Sequence, residues 1–240
     1  MKAGRRPLRR GPFAKENRAM GTLLFDERIA PFYEAWFDTP EGRRADRLEK
    51  QLLARVLELL DPPGTLLEVG CGTGHFTRWL EERGWCSTGL DCSPAMLREA
   101  QTRGGQRLLL GDALRLPFAD RAFDVVALIT VLEFLPHPQQ ALREAWRVAR
   151  RGLLLGVLNR LSPIAWWRRL QGLFRPDVYR AARFYPPGEL QRLVRGTAGQ
   201  PVSLRWGTTL WPRWLPLEGG PLPGGAFIAL AARTELGRGC

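Results

Sequence analysis

Three acids and three glycines carry the chemistry of this 240-residue sequence: Glu68, the run Gly70-x-Gly72-x-Gly74, Asp91 and Asp112. Glycines let a backbone turn tightly and approach a ligand closely. A helix that starts behind such a turn presents free N–H groups to the ligand. A dinucleotide fingerprint, G-x-G-x-x-G, is excluded because His75 stands where its third glycine belongs. Asp91 lies 23 residues after Glu68, where a carboxylate can accept hydrogen bonds from two ribose hydroxyls. Asp112, with a neighbouring backbone N–H, can read an adenine edge. Glu68 would repel a pyrophosphate. Together these groups suit a nucleoside without phosphate.

The elements around them must hold these groups at one edge of a sheet. TLLEV, from Thr65, predicts a buried strand, and the glycine turn leads into a helix from His75 to Arg83 ended by Gly84. WCSTGL predicts a second strand ending at Asp91, after which Ser93 caps a helix with Pro94 at its first position. QRLLL predicts a third strand ending at Gly111-Asp112. FDVVALIT predicts a fourth, apolar enough to be covered on both faces. A helix over 139–150 and a fifth strand, GLLLGVL, follow. Upstream, Leu48, Leu52, Leu53, Val56, Leu59 and Leu60 recur at helical spacing until Asp61-Pro62-Pro63-Gly64 stops the helix. After Asn159 come an aromatic, basic helix candidate (SPIAWWRRLQGLF), a short helix (PPGELQRLVRG) and two closing strands (PVSLRW, GAFIALAAR). A Trp-, Pro- and Gly-rich loop separates the two strands. Alternating strands and helices predict an α/β fold, doubly wound around a mainly parallel seven-stranded sheet, with an N-terminal helical cover and a C-terminal aromatic lid. The expected organisation is a basic flexible arm over 1–20, a core over 21–159, and a lid and acceptor region over 160–240.

Composition bounds the function. Hydrophobic residues are 45% and charged residues 25% of the chain, which excludes wholesale disorder. No apolar run approaches the roughly 20 residues of a membrane span, and the start lacks the apolar segment of a secretory signal. The net charge of +12 is uneven: residues 1–20 contribute +6, 21–142 contribute −5 and 143–240 contribute +11. The half with the glycine turn is therefore acidic and suits a cationic ligand. Cys71, Cys86, Cys92 and Cys240 form neither a C-x-x-C pair nor a zinc-finger set with His, so reduced cysteines, a cytoplasmic location and no metal site are expected.

EVGCGTG, LDCSPAML, GDALRLPFADRAFDVV and ITVLEFLPHP, in that order, resemble the class I S-adenosylmethionine-dependent methyltransferases, most closely the small-molecule type called type 11. The resemblance covers about residues 30–160. It implies a Rossmann-like methyltransferase fold with S-adenosyl-L-methionine as cofactor. Gly70, Cys71, Gly72 and Gly74 would line its methionine end, and Glu68 would attract the ammonium. Asp91 would hold the ribose, with Cys92, Ser93 and Met96 beside the adenosine. Asp112 and the Ala113 backbone would read adenine, and Thr130 would face the methyl. Tyr33, in Tyr33-x-x-Trp36-Phe37, would close over the cofactor, as would Arg43 with less support. The implied reaction is in-line displacement of the methyl from sulfur.

A general base is needed only where the acceptor must lose a proton. Glu133 and His137 are the candidate catalytic residues, and His75 the third candidate base. Trp166, Trp167, Trp206, Trp211 and Trp214 serve either core packing, an apolar acceptor pocket or a membrane-interface helix. The expected partner is a small-molecule acceptor, apolar or anionic. RNA and a membrane lipid or quinone are the alternative acceptors, and non-catalytic cofactor binding is the alternative function. Nucleic acid is disfavoured because the N/D-P-P-Y/F and Pro-Cys signatures of DNA methylation are missing.

Overall fold

Seven strands form one sheet in the order β3-β2-β1-β4-β5-β7-β6. They are β1 (Thr65–Val69), β2 (Cys86–Asp91), β3 (Leu108–Leu110), β4 (Phe123–Ile129), β5 (Ala149–Leu158), β6 (Val202–Thr209) and β7 (Phe227–Thr234). β1 to β5 run parallel, and β7 is antiparallel to both β5 and β6. The computed structural model describes residues 25, 30–162, 182–212, 214–215 and 219–235. The basic arm and most of the aromatic helix candidate, with Trp166 and Trp167, lie outside them.

Six helices flank the sheet among the described residues: α1 (Ala30–Ala35), α2 (Pro40–Leu57), α3 (His75–Glu81), α4 (Pro94–Thr102), α5 (Pro138–Val148) and α6 (Pro187–Ala198). The period-2 geometry of the strands sends adjacent apolar residues to opposite faces. Leu67, Val126 and Leu153 pack with Leu142 and Trp146 of α5 and Leu190 of α6. Leu66, Val125 and Leu154 pack with Leu53 and Val56 of α2 and Trp79 and Leu80 of α3. Both faces are thus covered, and the continuous apolar runs of β4 and β5 follow from that.

Local signals set the helix starts. Thr39 accepts a hydrogen bond from Gly42 N at 3.0 Å ahead of α2, and Ser93 accepts one from Met96 N at 3.3 Å ahead of α4. Several boundaries differ from expectation. α5 ends at Val148, and Ala149 and Arg150 join β5, because Ala149 already pairs with Phe123 across the ladder. β6 runs on through Gly207, Thr208 and Thr209, which pair with Ala229, Ile228 and Phe227. The third strand is only three residues long, and α3 stops at Glu81.

β1 and β4 are neighbours, although β2 follows β1 in the chain. The helices after β1 and β4 therefore leave toward opposite faces and open a crevice at the strand ends. Glu68, Asp91 and Thr130 all stand at that edge. No helix among the described residues is long and apolar enough to cross a membrane.

Candidate functional site

A cleft of about 880 Å³, open mouth included, occupies the crevice. Of the residues singled out in the sequence, Glu68, Gly70, Cys71, Gly72, Asp91, Cys92, Met96, Ala113, Thr130 and Tyr33 line it, and so does His75.

The glycine turn is pinned to the end of β2. Gly70 N and Cys71 N both donate to the Leu90 carbonyl, at 2.6 and 3.1 Å. Gly70, Gly72 and Gly74 all have positive φ, at 73°, 52° and 74°. A methyl on Gly70 would run into Val131, whereas one on Gly72 would meet no protein atom within 4 Å. Cys71 is a buried filler: its sulfur packs where a side chain on Gly89 would stand. Gly74 lies outside the lining and serves as the left-handed start of α3.

Asp91 is held by the backbone. Its Oδ2 accepts from Gly72 N and its Oδ1 from Ser93 N, both at 2.8 Å. The Cys92 backbone N–H also faces the carboxylate, and three donors leave part of its four-lone-pair capacity for a ligand. Burial pushes the Asp91 carboxyl above its ordinary pKa, partly offset by these N–H groups. Glu68 forms the floor. Burial pushes it to about 8 against the hydrogen bond donated by the Thr77 hydroxyl. No lysine or arginine is among the described lining residues. A cation in the cleft would therefore meet two acidic groups and no lysine or arginine among the described lining residues.

Ser93 and Asp112 are not among the lining residues. The Ser93 hydroxyl caps α4 and donates to the Phe25 carbonyl at 2.6 Å. Asp112 Oδ1 accepts from Leu114 N at 2.9 Å, and the Gly111 and Ala113 positions face the cleft. Thr130 follows β4 directly with a φ of 53°, a conformation that β-branched residues rarely adopt. Its N–H, donated to the Gly156 carbonyl at 2.7 Å, holds it there.

Two of the three candidate bases lie elsewhere. Glu133 is buried outside the lining; its Oε1 accepts from Leu158 N at 2.6 Å, and its carbonyl accepts from Arg183 N at 2.8 Å. Burial pushes it to about 7. It joins the turn after β4 to the end of β5. His137 is exposed at the start of α5 and also lies outside the lining, as does exposed Arg43. His75 reaches the cleft, but its Nε2 is 2.6 Å from Asp46 Oδ1 and its Nδ1 3.8 Å from Glu34 Oε2.

The mouth is aromatic. Phe25 stands edge-on to Tyr33 and to Phe134, with centroids 6.2 and 5.4 Å apart, and Tyr33 is edge-on to Phe37. Leu135 and Val131 complete this apolar wall. Phe25, Phe134 and Leu135 were missed in the sequence, since nothing in their spacing marks them; only the chain crossing over the strand ends brings them together. The described tryptophans of the C-terminal region, Trp206, Trp211 and Trp214, do not line the cleft. Trp206 packs on the core beside α6, Trp211 sits against Gly224, and Trp214 is 80% exposed.

A family described as "Methyltransferase domain" matches residues 67–155. A demethylmenaquinone methyltransferase of Roseiflexus sp. (strain RS-1) is 30% identical over 207 residues, covering 74% of this chain and 84% of that protein. An uncharacterised Mycobacterium tuberculosis protein is 34% identical over 182 residues; the match covers 74% of this chain but only 61% of that longer protein. Among solved structures, a Thermotoga maritima SAM-dependent methyltransferase, described as a possible histamine N-methyltransferase, superposes with a TM-score of 0.69 at 28% identity. That match covers 88% of this chain and 98% of the other. With this sheet order, this cleft and these likenesses, the chain belongs to the S-adenosylmethionine-dependent methyltransferases.

Proposed function

We propose that the chain binds S-adenosylmethionine in the cleft and transfers its methyl group to a small-molecule acceptor. The observation that carries this reading is Asp91, fixed at the end of β2 by Gly72 N and Ser93 N with acceptor capacity left over. The cleft fits the cofactor's chemistry. Gly72 offers open space where any side chain would intrude, and the acidic lining without Lys or Arg suits a ligand with two cationic groups. Asp91 would hold the ribose, Gly111 and Ala113 would flank adenine, and the glycine turn and Glu68 would take the methionine end.

The cofactor supplies a methyl already activated by its positive sulfur. The chain's contribution is alignment and dryness. Thr130 and Val131 form the wall beside the strand ends, and Phe25, Tyr33, Phe37 and Phe134 exclude water from the mouth. Alignment of this kind supplies up to about 7–11 kcal/mol of barrier lowering. With Glu133 and His137 outside the lining and both His75 nitrogens facing carboxylates, the reading is transfer without a general base from the described residues. That suits an acceptor nucleophilic as it stands, or one acidic enough to lose its proton to water.

The apolar mouth supports an apolar or aromatic acceptor over an anionic one. The Roseiflexus relative, named for demethylmenaquinone, is consistent with a lipid-like acceptor but does not fix it. Cys71, Cys86 and Cys92 form no disulfide among the described residues, which supports a cytoplasmic location. The test is twofold. S-adenosylhomocysteine should raise the melting temperature, and Asp91→Asn should abolish most of the rise. Labelled methyl from S-adenosylmethionine should then appear in one product of a metabolite pool. No melting shift at millimolar ligand would overturn the reading.

A further inference from the structure

One cluster of charged side chains remains outside the chemistry described above. Glu34 is on α1, Asp46 on α2, and His75 opens α3 directly behind the glycine turn. The imidazole stands between the two carboxylates, with Nε2 2.6 Å from Asp46 Oδ1 and Nδ1 3.8 Å from Glu34 Oε2. Its ring lies flat on Phe37, with centroids 3.9 Å apart and planes at 10°. Glu34 Oε1 also accepts from the Thr73 hydroxyl at 2.5 Å and from Arg78 at 3.3 Å. Thr73 sits between Gly72 and Gly74, and its carbonyl accepts from Arg78 Nη1 at 2.8 Å. One carboxylate on the cover thus grips the turn itself. Tyr33 and Phe37, on either side of Glu34 in sequence, form part of the cleft's roof.

We propose that the Glu34–His75–Asp46 relay is a latch that locks α1 down over the cleft and fixes the shape of the glycine turn, and that it releases when His75 loses its proton. Glu34 and His75 are then positioning residues: they act through the turn and the aromatic roof. The contacts themselves carry the latch; its consequence for cofactor retention rests on the proposed function.

The charges around His75 set the sign. Glu34 of α1 and Asp46 of α2 favour the imidazolium, as does Glu68 of β1 when ionised. Glu49 of α2 adds to this once ionised, at about pH 8. Lys50 of α2 opposes it, and Arg78 of α3 stands on the far side of Glu34, with Arg103 beyond α4 at 4.0 Å from the same carboxylate. A positive charge in the first turn of a helix is unfavourable in itself, so the imidazolium needs these acids. Burial alone would lower the His75 pKa, but the hydrogen bond to Asp46 and the Glu34 carboxylate facing Nδ1 leave it raised. Burial would raise Glu34, but His75 and Thr73 bring it down to about 2. The latch is therefore complete below the raised His75 value and weakens as pH rises through it.

The test is hydrogen exchange of peptides spanning 30–39 and 70–78 in the ligand-free full chain, corrected for intrinsic rates, at about pH 6 and about pH 9. The wild type should lose protection in both segments together at the higher pH, by about tenfold. His75→Gln should lose it at both pH values and flatten the profile. Glu34→Gln, which keeps an oxygen acceptor for Thr73, should weaken protection in both segments at low pH. Circular dichroism establishes that the variants fold. A His75→Gln profile like that of the wild type, or protection lost in one segment only, would overturn the latch. S-adenosylhomocysteine binding at pH 7 is measured alongside: absent binding with a pH-dependent cover sinks the proposed function, and normal binding with a pH-independent cover sinks the latch.

Discussion

Gly72→Ala separates the architecture of the turn from its use. Gly72 has a φ of 52°, and an added methyl would meet no protein atom within 4 Å. The folded protein therefore bears only the conformational cost of a left-handed alanine, about 1–2 kcal/mol. For a chain of this size that lowers the melting temperature by roughly 2–8 °C, at roughly 2–4 °C per kcal/mol. The same methyl points into the space assigned to the ligand. S-adenosylhomocysteine at one hundred times its Kd should stabilise the wild type by about 2.7 kcal/mol. Gly72→Ala should lose most of that gain. Gly70→Ala is the contrast, because its methyl would lie 2.3 Å from Val131 Cγ2. Overpacking adds about 1–3 kcal/mol to the left-handed cost there, so Gly70→Ala should melt well below Gly72→Ala without ligand. The assay is thermal melting of the three proteins with and without ligand. A Gly72→Ala protein that keeps the full ligand shift would refute the placement of the ligand against the turn.

Other outcomes follow from the buried acids. Glu133→Gln preserves the acceptor for Leu158 N and should retain methyl transfer, while Glu133→Ala leaves that N–H unpaired and should lose about 1–3 kcal/mol in urea denaturation. A fall of about a hundredfold or more in kcat for Glu133→Gln at unchanged stability would make Glu133 a base instead. His137→Ala, at an exposed helix start, should leave melting and turnover close to wild type in the same assays. Burial raises Glu49 to about 8, with Asp46 adding to the effect, and also raises Glu68 to about 8 and Glu133 to about 7. The folded state thus holds protons that the unfolded chain releases near pH 4.5, and stability should fall as pH rises from about 5 to about 8. His75, also raised, acts in the same direction, whereas Glu34 and Asp46, both lowered, cost stability only at acid pH. Glu49→Gln should reduce the slope measured by urea denaturation at the two pH values; an unchanged slope would show that Glu49 is ionised in the fold.

The sequence by itself determined the parallel sheet, the glycine turn and the acids at the strand ends. Those features are written in local signals: continuous apolar runs bounded by turns, the closely spaced glycines after β1, and Ser93-Pro94 at a helix start. Asp91 is an example, since its position at a strand end and the Ser93 behind it follow from a few adjacent residues. Only the tertiary structure decided which of the other polar groups reach the cleft. Glu133 and His137 sit in the right stretch of sequence, yet one side chain turns inward to Leu158 N and the other outward to solvent. The aromatic roof joins Phe25, Tyr33 and Phe37 to Phe134, about a hundred residues away in the chain, and the latch joins Glu34, Asp46 and His75 from three helices. Such pairings carry no periodicity, because they arise where separate helices pack over the sheet. The charge pattern anticipated an acidic site, and packing decided the rest: it buried Glu68 and Asp91 beside the glycine turn and kept every lysine and arginine out of the described lining.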